Sequence, residues 1–235
     1  MTRRIGSLFS GIGGLELGIW IATGWLPIYS AESDEGCHGV LKHFGGNQHR
    51  VYSSVESCTL AEWNTPVDVV VGGFPCKNLS TANRGRESSE DLWHLMRSHV
   101  VLTKPKAVVV ENVARRWRSW VPRVRSELHS DGYASVPLRM RADSFGAPHK
   151  RDRVFIVAVP YSERKSVSAL HAAASNMQEL TRHAWEVQWP STNEYLAVDD
   201  GVPGTVDEIR RVGNAVMPRM GVAVGFVLKE VLGGA

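Results

Sequence analysis

Val69-Val70-Val71-Gly72-Gly73-Phe74-Pro75-Cys76-Lys77-Asn78-Leu79-Ser80 decides the fold. The three valines after Asp68 predict a strand buried on both faces, as in a parallel sheet covered by helices. Two glycines then allow a tight turn at the strand's carboxyl end, and Pro75 stiffens the chain before Cys76. Open α/β sheets bind ligands at that edge, so the cysteine stands where a nucleophile is useful. Taken alone, a free cysteine is more often an inert core residue. The surrounding chain decides between the two.

Upstream, Arg4 to Phe9 predicts a first strand, followed by the glycine turn Ser10-Gly11-Ile12-Gly13-Gly14 and a helix to about Thr23. Such a turn lets a ligand approach the backbone at a helix N-terminus. Pro27 to Glu32 predicts a second strand ending in an acid, 18 residues beyond Gly14, where a carboxylate can accept from ribose hydroxyls. Asp34 can cap the next helix, which Gly45-Gly46 stops, and Gln48 to Val55 reads as a third strand and loop. The fold class expected is therefore α/β, a doubly wound, mostly parallel sheet.

Downstream, a helix beginning near Ser88 to Asp91 carries Leu92, Leu95, Met96 and Val100 on one face and ends at Lys104-Pro105. Ala107 to Val113 is a second buried strand, and it delivers Glu111 to the same sheet edge as Cys76. Burying a carboxyl group is costly and raises its pKa, as a proton donor requires. A helix near Val121–Leu128 and a strand from Ala134 to Met140 follow. Arg151 and Arg153 alternate at the start of the strand Val154–Val159, which points both to one face. Residues 160–203 lose the strand–helix rhythm and read as a loop-rich appendage, with Trp185 and Trp189 as its small core. Order returns from Val206, ending in an apolar helix from Met220 to Leu232.

The 235 residues suit one domain with a small appendage. No apolar run is long enough to span a bilayer, and no signal-peptide core follows Met1. Cys37, Cys58 and Cys76 are an odd number without CxxC spacing, which argues against a disulfide framework or zinc site and for a reducing, cytoplasmic setting. The net charge of +3 is unevenly placed: residues 81–153 hold 15 Lys/Arg against 8 Asp/Glu, while both flanks are slightly acidic. Within that basic third, Arg115, Arg116, Arg118, Arg123 and Arg125 interleave with Trp117 and Trp120. This suits a phosphate backbone, and equally a solvated helix face.

Together these stretches resemble the cytosine-C5 DNA methyltransferases, especially the short phage and bacterial type. The resemblance is carried by Phe9 to Gly14, Gly72 to Cys76 with Leu79-Ser80, Glu111-Asn112-Val113, Phe145 to Phe155, and Asp200 to Pro203 with Gly213 to Pro218. It implies that Cys76 attacks C6 of a flipped-out cytosine, that Glu111 holds the exocyclic amine and N3, and that Arg153, supported by Arg151, holds O2. It also implies that S-adenosylmethionine, with no metal, lies against Phe9, Gly11, Gly13, Gly14, Glu32, Ser54, Pro75, Leu92, Asn214 and Val216. Duplex DNA is the implied partner, met by Lys77, Ser80, Arg84, Arg86, Arg115 and Arg116. No membrane is implied, and a specificity partner or a homodimer stays open.

The organisation expected is a catalytic and cofactor-binding domain over 1–158, a reduced target-recognition region over 159–203 and a returning segment over 204–235. Four positions or segments depart from the family pattern. Ser7 stands where many members have an acid, Ser54 (with Glu56 nearby) where an Asp usually meets the adenine amine, and Lys77 where Gln is usual. The segment for target recognition is only about sixty residues, which points to short or relaxed specificity or a partner. Alternatives are a tRNA cytosine-C5 methyltransferase, a silent DNA-binding relative and, on the glycine turn alone, a nucleotide-dependent oxidoreductase.

Overall fold

The structure is a computed structural model that describes residues 2–45, 48–75, 91–147, 150–186 and 215–233. Its centre is a seven-stranded sheet: β1 (Arg4–Leu8), β2 (Leu26–Ala31), β3 (Arg50–Tyr52), β4 (Val69–Gly72), β5 (Ala107–Val113), β6 (Tyr133–Arg141) and β7 (Asp152–Pro160), in spatial order β3-β2-β1-β4-β5-β7-β6. The first five strands run parallel, and β7 lies antiparallel between β5 and β6. The short link after β6 explains this, because only an antiparallel neighbour can be reached without a crossover. The strand order reverses between β1 and β4, which opens a crevice at their carboxyl ends. The expected α/β class, doubly wound and mostly parallel, is what is found.

Helices cover both faces. One layer contains α1 (Gly14–Thr23), α6 (Arg164–Ser175), α7 (Met177–Glu186) and α8 (Pro218–Leu232), which close over Ile5, Val69, Val71, Val109 and Val157. The other contains α3 (Val55–Glu62), α4 (Trp93–Thr103) and α5 (Trp117–Ser130), over Leu8, Val70, Val108, Val110 and Ile156. A short helix α2 (His38–Gly45) follows β2 after a 3₁₀ turn that Asp34 caps through Gly36 N. Alternate valines of β4 and β5 thus feed opposite layers, as the strand period requires. In the second layer the Tyr29 hydroxyl meets His99 Nε2 at 2.7 Å and Thr59 Oγ1 meets His99 Nδ1 at 2.9 Å, tying β2, α3 and α4 together. Burial pushes His99 down to about 4, so this imidazole is neutral at neutral pH.

The structure differs from the sequence reading in three places. Residues 164–186 are not loop: they form α6 and α7, whose Leu170, Ala173, Leu180 and Ala184 are buried in the core shared with α8. Their apolar stripe rests largely on alanines amid polar residues, so its periodicity is weak in sequence. Helix α3 occupies Val55–Glu62, a stretch that the sequence reading left unassigned beyond Val55. Helix α5 starts at Trp117 rather than near Val121, with Pro122 inside it. Trp120 there is 3% exposed and donates Nε1–H to the Val113 carbonyl at 3.2 Å. Burying that indole offsets the backbone hydrogen bond lost at Pro122. Trp120 is therefore core and not a surface for stacking bases.

Candidate active site

The carboxyl ends of β1, β2, β4 and β5 and the start of β7 bring the described candidate residues to one edge. Register pairs Val113 of β5 with Arg153 of β7. Glu111 is buried at the end of its valine run, and Arg153 Nε lies 2.7 Å from its Oε1. Arg153 also donates to the Asp152 carbonyl at 3.0 Å, which fixes the guanidinium. Burial raises the pKa of Glu111; Arg153 and then Arg151 pull the other way without cancelling it. Arg151 is pushed down to about 10 by its own burial and by Arg153, so it remains charged at neutral pH. The site thus joins an acid whose pKa burial raises to two cations, of which Arg153 is fixed by its contacts.

Gly73 completes the wall. A Cβ there would sit 2.6 Å from Glu111 Oε2, so any larger residue displaces the carboxyl. Asn112 ties β5 to the loop after β4: its Nδ2 donates to the Phe74 carbonyl at 2.9 Å, and its Oδ1 accepts from Val113 N at 2.8 Å. Phe74 itself is buried against Trp93 and Trp120, with ring centroids 5.9 Å apart in both pairs. Pro75 is the last described residue before Cys76. Asn112 is a positioning residue that sequence reading quoted within a motif but did not single out. Asn112→Ala removes a donor and an acceptor from buried backbone partners, and is expected to cost about 1–3 kcal/mol, read as a lower urea midpoint at unchanged slope.

A second group of residues lies at the ends of β1 and β2. Phe9 and Gly11 both have positive φ (55° each), and Gly13, at φ 80°, precedes α1. Space beside Gly11 is open, with no atom of the described residues within 4 Å of where its Cβ would be. Gly11 N donates to Glu32 Oε2 at 2.8 Å, and Asp34 N to Glu32 Oε1 at 2.8 Å, so Glu32 is held at the crevice. A Cβ on Gly14 would collide with the Val216 carbonyl, so the C-terminal segment closes directly on the glycine turn. Leu92 is part-buried and immediately precedes α4. Ser54 accepts from Ser57 N at 3.1 Å and so caps α3, while Glu56 is exposed in that helix's first turn.

Glu16 was not expected at this site. It is 2% exposed, accepts a hydrogen bond from the Ser7 hydroxyl, and has no partner for Oε2 among the described residues. Ser7 is in turn 2.7 Å from the Ser10 hydroxyl. The signal available in sequence was Ser7 itself, a serine where an acid is usual. Arg115 and Arg116 are exposed just beyond β5, on the edge that carries Glu111. Cys76, Lys77, Ser80, Arg84, Arg86 and Asn214, together with His149 and Trp189, lie outside the described residues.

Comparison with known proteins shows the family and the fold. A family model described as C-5 cytosine-specific DNA methylase matches residues 3–202. The chain is 29% identical over 239 residues to the Type II methyltransferase M.HgiCII of Herpetosiphon aurantiacus, covering 98% of this chain and 54% of that protein. It is 30% identical over 184 residues to the Type II methyltransferase M2.BsuMI of Bacillus subtilis (strain 168), covering 70% and 44%. The chain therefore spans about half the length of the curated relatives it matches. Among solved structures, Spodoptera frugiperda DNMT2 shares the fold, with a TM-score of 0.52 at 18% identity over 68% of this chain and 50% of that one.

Proposed function

This chain belongs to the C-5 cytosine-specific DNA methylase family, and from that premise we propose that it transfers a methyl group from S-adenosylmethionine to C5 of cytosine in duplex DNA. The observation that carries the reading is the pairing of buried Glu111 with part-buried Arg153, beside Gly73, which lies three residues before Cys76. A carboxyl group whose pKa burial raises, held by a guanidinium, is what protonation of a ring nitrogen requires. In this mechanism Cys76, as thiolate, forms a bond to C6 while Glu111 gives its proton to N3. The electron pair released into the ring makes C5 nucleophilic. S-adenosylmethionine supplies the methyl group that C5 takes. A base then removes the C5 proton, the C6–sulfur bond breaks to return the thiolate, and the N3 proton goes back to Glu111. Arg153 holds O2 throughout, and Arg151 keeps the site cationic, which favours the thiolate. The base is flipped out of the duplex to reach these groups.

The glycine turn fits the cofactor on the structure's own terms: open space beside Gly11, a carboxylate at Glu32 held for ribose hydroxyls, and a buried orphan oxygen on Glu16. Phe9, Gly11, Gly13, Gly14, Glu32, Pro75, Leu92, Asn214 and Val216 would hold it, with Glu32 on the ribose. Ser54 is occupied as a helix cap, so its contact with the adenine is the weakest member of the set. Lys77, Ser80, Arg84, Arg86, Arg115 and Arg116 would meet phosphates, and the cysteine loop would close over the base. Residues 159–203 include all of α6 and α7, whose apolar sides join the core, which leaves a short stretch for reading sequence and favours a target of two or three base pairs, or a partner.

The test is transfer of labelled methyl from S-adenosylmethionine to mixed-sequence duplex DNA, with tRNA and Cys76→Ala in parallel. Label at C5 of duplex cytosine that vanishes with Cys76→Ala is expected. Label in tRNA alone would replace the substrate, and no transfer with cofactor binding intact would favour a silent relative. Mapping the labelled sites reads the specificity, and a strict six-base-pair target for the chain alone would overturn the reduced-recognition reading.

A further inference from the structure

Helix α1 brings a carboxyl group to a place where the sequence otherwise lacks one. Ser7, at the end of β1, donates its hydroxyl hydrogen to Glu16 and also meets Ser10 of the glycine turn. Ser10 in turn lies against the end of β2, through Ser10 N to the Ala31 carbonyl at 3.1 Å. Glu16 is thus joined through Ser7 and Ser10 to the turn whose Gly11 binds Glu32, with one carboxylate oxygen bonded and the other unpartnered among the described residues. A buried carboxylate oxygen left without a partner costs free energy that a structural residue would not retain.

We propose that Glu16 is the acid of the cofactor pocket in this chain, replacing from α1 the group that Ser7 lacks. Acting through the Ser7 and Ser10 hydroxyls, it supplies the negative charge that draws in the ammonium group at the amino-acid end of S-adenosylmethionine. It is a positioning residue, and the inference rests on the reading that the glycine turn takes that end of the cofactor.

The electrostatics agree. Burial raises Glu16 to about 7, with Glu32 pushing the same way and its backbone and Ser10 hydrogen bonds opposing. The groups facing it on β1 and the glycine turn, Ser7 and Ser10, are neutral. Just after β2 the facing group is Glu32. Helix α8, packed along α1, carries Arg219, Lys229 and Glu230, and the acid acting on Glu16 is Glu32. The folded chain therefore holds the Glu16 proton more tightly than the unfolded chain does. Its contribution to stability is full below the ordinary carboxyl range and is lost as pH rises from about 4.5 to about 7. An arriving cation reverses that loss by favouring the carboxylate, so binding releases a proton.

The experiment is calorimetric binding of S-adenosylhomocysteine and of 5′-methylthioadenosine, which lacks the amino-acid end, to the whole chain and to Glu16→Gln. For the wild-type chain, S-adenosylhomocysteine affinity is expected to rise roughly eightfold from pH 6 to 7.5, with proton release falling from about one at pH 6 to about a quarter at pH 7.5, while 5′-methylthioadenosine affinity stays flat. Glu16→Gln is expected to lose both the pH dependence and the proton release for S-adenosylhomocysteine, to bind it about tenfold more weakly at pH 7.5, and to bind 5′-methylthioadenosine unchanged. The apo variant should melt no lower than wild type at pH 8, because the amide carries no buried charge. Flat pH profiles for both ligands in the wild-type chain would overturn the proposal even if the variant failed to fold. Failure of the wild-type chain to bind either ligand, with no methyl transfer, would instead remove the cofactor reading on which it rests.

Discussion

Glu111→Gln is expected to lower the rate of methyl transfer by about 10²- to 10⁴-fold, the usual contribution of a positioned general acid. The amide keeps the size of the side chain and can hydrogen-bond the base, but it has no proton to give N3 when sulfur adds at C6. Folding should be intact, because the amide keeps the shape of the side chain beside Gly73 and its oxygen can still accept from Arg153. DNA and cofactor affinity should change little, placing the loss in kcat rather than KM. The pH profile carries the same argument. Glu111 acts as a donor, and burial holds its pKa above the ordinary carboxyl range. The wild-type rate should therefore fall on the alkaline side as that proton is lost, while ionisation of Cys76 raises it from the acid side. In the variant the Glu111-dependent limb is absent. Single-turnover rates across pH measure this, and a loss below about fivefold in kcat would remove Glu111 from the chemistry.

The second large effect is on stability. A Cβ at Gly18 would collide with the Pro218 carbonyl oxygen and lie 2.6 Å from Gly221 Cα and Val222 N. All three are backbone atoms, so no side chain can swing away. Gly221 meets α1 equally closely, 2.7 Å from the Leu15 carbonyl if given a Cβ. Helices α1 and α8 therefore touch backbone to backbone. Alanine at position 18 gains about 1 kcal/mol of helix propensity but forces the two helices apart. With overpacking costs of this kind, the net loss should be about 2 kcal/mol, lowering Tm by about 4–8 °C. Gly39→Ala, in α2 with nothing among the described residues within 4 Å of its Cβ, is the matched control and should hold or raise Tm. Because Val216, just before α8, closes on Gly14, Gly18→Ala should also weaken cofactor binding. Equal melting of the two variants would show that the helices can separate at no cost.

What was legible in the sequence is what depends on local pattern. The valine runs of β4 and β5 announced strands buried on both faces, and their carboxyl ends announced the edge on which Glu111 lies. The alternation of Arg151 and Arg153 announced a shared face, and both act on Glu111. Lys104 and Asp131-Gly132 end their helices as expected, with Lys104 and Gly132 at positive φ. Less was legible where the signal lies in partners far along the chain. The helices after β7 have stripes of small residues, which acquire meaning only against α8, because an alanine buries little area unless another helix comes close. The start of α5 was masked by Pro122, whose local cost is outweighed by Trp120 in the core. Residue type and order by themselves determined the sheet, the edge and the family resemblance. Only the tertiary structure decided that Glu16 reaches Ser7 across the first turn of α1, and that residues 14–23 and 218–232 meet through glycines to shut the crevice. Those contacts join elements up to the whole chain apart, and close packing, unlike periodicity, leaves no trace in either partner alone.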